Sequence, residues 1–203
     1  MLKIGLTGSI GMGKSTTAKL FADAGLPVND ADAVVHDLYA GAAAPFIDAA
    51  FPGSVENGTV DRQELGRQLA LRPEGFKQLE QIVHPLVRER EAMFLDEQRG
   101  QGTPMVLLDI PLLFESGGAD RVDVIVVVSC DPQIQRQRVL ARPNMTEEKF
   151  NMILSRQTPD AEKRRRADYV IDTGHGIDQA REQVGSIIAD LKQRIANGDF
   201  PNA

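Results

Sequence analysis

Glycines at positions 8, 11 and 13 run directly into Lys14 and Ser15, and they follow the strand-like stretch Leu2-Lys3-Ile4-Gly5-Leu6-Thr7. The segment Gly8–Ser15 fills the pattern G-x-x-x-x-G-K-[ST] without a mismatch. A loop of this kind turns its backbone N–H groups inward around a chain of phosphates, and glycine reaches the required angles without strain. A helix is expected from Ser15 to Ala24, with Ala18, Phe21 and Ala22 at helical spacing. Strand, glycine turn and helix together aim a helix N-terminus at the phosphates. Gly8, Gly11, Met12, Gly13, Lys14, Ser15 and Thr16 are therefore the candidate nucleotide-phosphate contacts. Lys14 reaches the outer phosphates and the Ser15 hydroxyl is a candidate Mg²⁺ ligand.

The rest of the chain must supply a fold around that loop. Its 203 residues suffice for one sizeable α/β core with an inserted subdomain. No apolar run approaches the ~18 residues of a membrane span, and the N-terminus runs straight into a strand, so neither a membrane segment nor a signal peptide is expected. Cys130 is the single cysteine, which excludes an internal disulfide and a cysteine-based zinc cluster. A cytoplasmic protein is expected. The net charge of −6 argues against a broad nucleic-acid surface. Two basic clusters stand out, Arg136/Arg138/Arg142 and Lys163-Arg164-Arg165-Arg166. The second reads as a solvated helix face.

Further along, Leu26–Asn29 reads as a second strand and Ala31–Ala40 as a helix. Gly41 to Gly58 has no strand pattern. Helices are expected near Arg62–Leu71 and Glu74–Gln98, the latter with an apolar stripe through Leu79, Ile82, Val83, Leu86, Val87 and Phe94 and a kink just before His84-Pro85. Met105–Asp109 and Val122–Val128 are unbroken apolar runs suited to strands buried on both faces. Asp131-Pro132 and Thr146 open two helices, Ala167–Ile171 is the last strand, Ile177–Ile195 the closing helix, and Asn197–Ala203 a frayed tail. Five strands alternating with helices imply an open parallel sheet covered on both sides, with ligands beyond the carboxyl ends of the strands.

Phosphate binding leaves several reactions open. The guanine-reading N-K-x-D and the D-x-x-G switch of regulatory GTPases do not occur here. A small-molecule kinase needs a second pocket for its acceptor and a lid that excludes water. It also needs a carboxylate to take the acceptor's proton, and Asp32 is the candidate. Asp30 reads as a helix N-cap. Asp109 is a second candidate Mg²⁺ ligand, acting through water. Arg138 and Arg142 are four apart, hence on one helix face, and precede the breaker Pro143-Asn144, where a lid hinges; Arg136 falls on another face. A nucleoside or nucleotide kinase and a nucleotide-dependent binding switch remain open at this level.

The combination resembles the dephospho-coenzyme A kinase family of P-loop small-molecule kinases. The resemblance is carried by Gly8–Ser15, Asp30-Ala31-Asp32, His84-Pro85, Pro111-Leu112-Leu113-Phe114-Glu115, Arg138 with Arg142, Ser155-Arg156-Gln157, and Ala167-Asp168-Tyr169-Val170-Ile171-Asp172. It implies transfer of the ATP γ-phosphoryl group to the ribose 3′-hydroxyl of dephospho-coenzyme A, the last step of coenzyme A synthesis, with Mg²⁺. ATP and dephospho-coenzyme A would be the partners, with no nucleic acid or membrane. The implied fold is a three-layer α/β P-loop fold with a five-stranded parallel sheet, in one kinase domain over residues 1–203. Its parts are a nucleotide core (1–40, 101–137 and 158–196), a helical acceptor-binding insertion (41–100) and a helical lid (138–157). Catalysis would fall on Lys14, Asp32 and Arg142, with Arg138 beside Arg142 on the nucleotide. Asp32, His84, Pro111 and Leu112 would meet the acceptor. The chain departs from the family at Met12, where a small residue is common, and at Thr173-Gly174-His175-Gly176, where asparagine often follows the strand.

Overall fold

The computed structural model describes residues 1–200; the end of the expected tail, Pro201–Ala203, lies outside them. Strand β1 (Leu2–Gly8) and helix α1 (Lys14–Asp23) are separated only by the glycine loop. Then come β2 (Val28–Asp30), α2 (Ala31–Tyr39), α3 (Ala44–Ala50), the short strands β3 (Val55–Glu56) and β4 (Thr59–Val60), α4 (Arg62–Leu71) and α5 (Gly75–Gly100). The second half runs β5 (Met105–Asp109), a 3₁₀ turn at Gly118–Arg121, β6 (Val124–Ser129), α6 (Pro132–Leu140), α7 (Glu147–Ser155), α8 (Asp160–Arg166), β7 (Tyr169–Asp172) and α9 (Ile177–Asn197). The chain groups into two compact units, one of residues 1–29 with 101 onward, the other of residues 30–100.

The first unit is built on a five-stranded sheet of order β2-β5-β1-β6-β7. β1 pairs in parallel with β5 and β6, and β6 in parallel with β7. The central strands are apolar on both sides because both faces are covered, and every residue of β5 is buried. Leu2, Ile4, Leu6, Leu107, Val126 and Val128 interlock with Phe21 of α1 and with Val184, Ile188 and Leu191 of α9 in one core. The register sets Leu6 beside Asp109, Gly8 beside Val128 and Ser129 beside Asp172. The glycine loop, Asp109, Cys130 and Thr173 therefore emerge at one edge, the carboxyl ends of β1, β5, β6 and β7.

The second unit packs Leu38, Ile47, Phe51, Val60, Leu65, Leu69 and Val83 into its own core. Helix starts follow their capping side chains. Asp30 accepts from the Asp32 and Ala33 N–H groups and so serves as the expected N-cap of α2. Asp61 does the same for α4, through the Gln63 and Glu64 N–H groups. Asp131 and Thr146 cap α6 and α7 as expected.

One stretch departs from expectation. Within and just beyond Gly41–Gly58, where no strand was expected, the chain forms α3 and the antiparallel β3–β4 hairpin. The hairpin turns on Asn57 and Gly58, both at positive φ (51° and 79°), so the Asn-Gly dipeptide was the available signal. Helix α5 runs through Pro85 as one helical segment.

Candidate active site

The glycine loop is fixed by what surrounds it. Gly11 has φ 78°, and a Cβ there would lie 2.4 Å from Val139 Cγ2 of α6. Gly13 caps α1 with φ 90°, in the left-handed region that a side chain would strain. The Gln135 side-chain amide of α6 donates to the Ile10 carbonyl at 2.8 Å, and the Ile10 N–H donates to Gln157 Oε1 at 3.1 Å. Met12 is 2 % exposed, and its sulfur accepts from the Cys130 N–H at 3.2 Å. Its side chain is thus core, and only its backbone belongs to the loop. The Met12 carbonyl accepts from Thr173 Oγ1 at 2.8 Å.

Lys14 Nζ donates to Asp109 Oδ1 at 2.6 Å, and the Asp109 carboxylate is nearly inaccessible. The end of β5 and the start of α1 are thereby joined across the loop. Ser15 and Thr16, in the first turn of α1, are exposed. Arg138 donates to both Thr173 Oγ1 (3.1 Å) and the Thr173 carbonyl (2.8 Å). α6 ends at Leu140, so Arg142 lies exposed just beyond it and does not share a helix face with Arg138 as expected. Gly11, Gly13, Thr16, Thr17, Arg138, Arg142, Thr173, Gly176, Ile177 and Ala180 line one cavity of about 340 Å³. Loop glycines, two guanidinium groups and the apolar side chains of Ile177 and Ala180 at the start of α9 thus share a pocket large enough for a nucleotide. Burial pushes the Cys130 thiol up, against smaller opposing effects of Arg138 and Thr173, which disfavours the thiolate.

A second set of contacts holds the segment after the arginines. Glu115 Oε1 accepts from the Thr158 N–H at 2.7 Å and lies 2.9 Å from Lys163 Nζ. Lys163 is fully buried, which corrects its reading as part of a solvated helix face. Its alignment is imperfect: Nζ and the second Glu115 oxygen have no well-directed hydrogen bond. Burial pushes the Glu115 carboxyl up, but Lys163 and the Thr158 N–H outweigh it and hold the group below the usual carboxylate range. Arg166, from the same basic run, lies 4.3 Å from the centre of the Phe114 ring. Arg136 pairs bidentately with Glu147 and ties α6 to α7.

The remaining candidates are dispersed. Pro111 is half-buried and Leu112 is 46 % exposed, while Leu113 and Phe114 are core. Asp32, in the first turn of α2, and His84, on α5, are exposed on the second unit. Three contributors carried no role in the sequence: Gln157, Thr173 and Lys163. Thr173 had an available signal, since it directly follows a strand at the carboxyl edge. Lys163 had none, because a buried lysine and a solvated one look alike in a basic run.

A profile of the dephospho-CoA kinase family matches residues 2–179. A dephospho-CoA kinase of Rhizobium etli is 74 % identical over 203 residues, covering all of both chains. Among solved structures, a Thermus thermophilus protein superposes with TM-score 0.79 at 34 % identity, over 94 % of this chain and 97 % of that one. A dephospho-CoA kinase from Campylobacter jejuni shares the fold, with TM-score 0.71 at 24 % identity over 98 % of each chain. With its loop, its parallel sheet and these relatives, the chain belongs to the dephospho-CoA kinase family of P-loop kinases.

Proposed function

We propose that this chain moves the γ-phosphoryl group of ATP to the ribose 3′-hydroxyl of dephospho-coenzyme A, using Lys14, Asp32 and Arg142. The observation that carries the donor half is the cavity of about 340 Å³ shared by the phosphate loop, Arg138 of α6 and Arg142 just beyond that helix. Loop N–H groups and Lys14 bind the β- and γ-phosphates. The first turn of α9, with Ile177 51 % exposed, offers an apolar surface for adenine. Asp32 takes the 3′-hydroxyl proton as that oxygen bonds to the γ-phosphorus and the bond to ADP breaks. Arg142, beside Arg138, stabilises the charge spread over the transferring group. His84, Pro111 and Leu112 are read as acceptor contacts, and residues 138–157 as the lid over a core and a helical acceptor region.

The exposed Ser15 hydroxyl is a hard oxygen donor and suits Mg²⁺, while Asp109, buried and paired with Lys14, would act on the ion only through water. When bound, that ion neutralises charge on the phosphates. The buried free thiol of Cys130 fits a reducing compartment, and we read the site of action as the cytoplasm. Among the described residues no helix is long and apolar enough to cross a membrane.

The test is ATP consumption with dephospho-coenzyme A against AMP, CMP and nucleosides. Faster turnover with a nucleotide monophosphate would overturn the assignment. Asp32→Asn should keep ATP binding and lose about 10²–10⁴-fold in kcat; near-normal turnover would remove Asp32 from the mechanism.

A further inference from the structure

Helix α2 carries more than Asp32. Asp32, His36 and Tyr39 stand at i, i+4 and i+7, so they form one stripe along the helix. At 1.5 Å per residue, Asp32 and His36 are separated by about 6 Å along the axis. Arg62, the first residue of α4, reaches this stripe from the neighbouring helix. Its guanidinium lies 5.2 Å from the centre of the Tyr39 ring, and Nη2 is 3.4 Å from His36 Nδ1.

The pairing is chemically unusual. A guanidinium only donates, so His36 Nδ1 can meet it only as an acceptor, which leaves Nε2 as the ring's donor. Both side chains then present donors. The nearby carboxylates are committed elsewhere: Asp61 caps α4, and Glu64 pairs bidentately with Arg67. Arg67, Arg99, Arg136 and Arg181 each find an acidic partner within 2.9 Å. Among the described residues Arg62 has no carboxylate partner; it stacks on an aromatic ring and faces an imidazole. Tyr39 is half-buried against the core of the second unit, which holds the guanidinium plane in place.

We propose that Arg62 and His36 form the acceptor's phosphate-binding site, receiving the 5′-phosphate groups of a nucleotide-type acceptor whose 3′-hydroxyl meets Asp32. One ribose ring and one methylene separate those two groups, a span that matches the single helical turn from Asp32 to His36. Tyr39 fixes the guanidinium, and the site selects acceptors that carry a 5′-phosphate. This inference rests on the reading of Asp32 as the base.

Steady-state kinetics of Arg62→Ala, Arg62→Gln and His36→Ala with dephospho-coenzyme A and ATP test it. KM for dephospho-coenzyme A should rise at least about tenfold in each Arg62 variant, the loss expected for a charge-assisted hydrogen bond, with KM for ATP unchanged. His36→Ala should move the same constant by a smaller factor. In the wild-type enzyme that KM should climb with ionic strength, and in the Arg62 variants the climb should flatten, which a purely structural role would not produce. Arg62→Lys, which keeps the charge, should recover part of the loss. An unchanged acceptor KM, an equal rise for both substrates, or an undiminished salt dependence would overturn the proposal. Absence of dephospho-coenzyme A turnover in the wild type would instead refute the function itself.

Discussion

Replacing Lys163 with methionine isolates one term in the stability of the sheet unit. Lys163 is fully buried and its partner Glu115 has a side chain 15 % exposed, with 2.9 Å between them. Methionine nearly preserves the volume, so the effect is electrostatic. Breaking a buried pair from one side costs about 3–5 kcal/mol, because the remaining charge is stranded. The Thr158 N–H still holds Glu115 at 2.7 Å, which puts the expected loss near the lower end, about 3 kcal/mol. For a chain of this length that lowers Tm by about 6–12 °C. Thermal unfolding followed by circular dichroism reads it directly. Glu115→Gln together with Lys163→Met removes both charges, keeps an acceptor for Thr158, and should recover most of the loss.

The pH dependence supplies an independent sign. Glu115 is held below its unfolded value in the folded protein. Its contribution is therefore present above the unfolded carboxylate pKa and fades as pH falls through the lower folded value. Without Lys163, burial acts with little opposition and the carboxyl protonates more readily. The deficit of Lys163→Met should accordingly shrink between pH 7 and about 4. A loss below about 1 kcal/mol at pH 7, the range of an exposed pair, or a deficit equal at both pH values, would refute the reasoning.

Two further outcomes are expected. Gly11→Ala places a Cβ 2.4 Å from Val139 Cγ2 at φ 78°; it should leave the fold intact but raise KM for ATP at least about fivefold, since alanine at positive φ costs on the order of 1 kcal/mol or more. Arg142→Ala should lower kcat more than ATP affinity, whereas Arg138→Ala, which also releases the Thr173 contacts, should additionally lower Tm. Measuring kcat, ATP binding and Tm on both variants separates the roles.

What the sequence disclosed was what is local. The glycine pattern located the phosphate loop because its chemistry is written in consecutive residues. Asp30, Asp131 and Thr146 announced their helices because a cap bonds two or three residues away. The apolar runs of β5 and β6 marked buried strands. The hairpin at Val55–Val60 escaped because its strands are only two residues long, too short for periodicity, although Asn57-Gly58 carried the turn signal. Gln157 and Thr173 escaped for another reason. Their hydrogen bonds to Ile10 and Met12 span 147 and 161 residues, and no local pattern encodes such a contact. The pairing of Glu115 with Lys163 is likewise a product of the fold, so the basic run read as surface.

Those long spans also set a schedule. The phosphate loop leaves the ribosome well before its partners, since β1 pairs with strands that begin at Met105 and Val124, and Thr173 closes the wall behind Met12. Such non-local pairing makes folding slow, and domains complete as units during synthesis. A nascent chain lacking β7 therefore carries the whole nucleotide motif without the wall that shapes it. Binding of ATP to ribosome-held chains of increasing length should begin only once residue 173 has cleared the exit tunnel, so the motif becomes a site long after it is written.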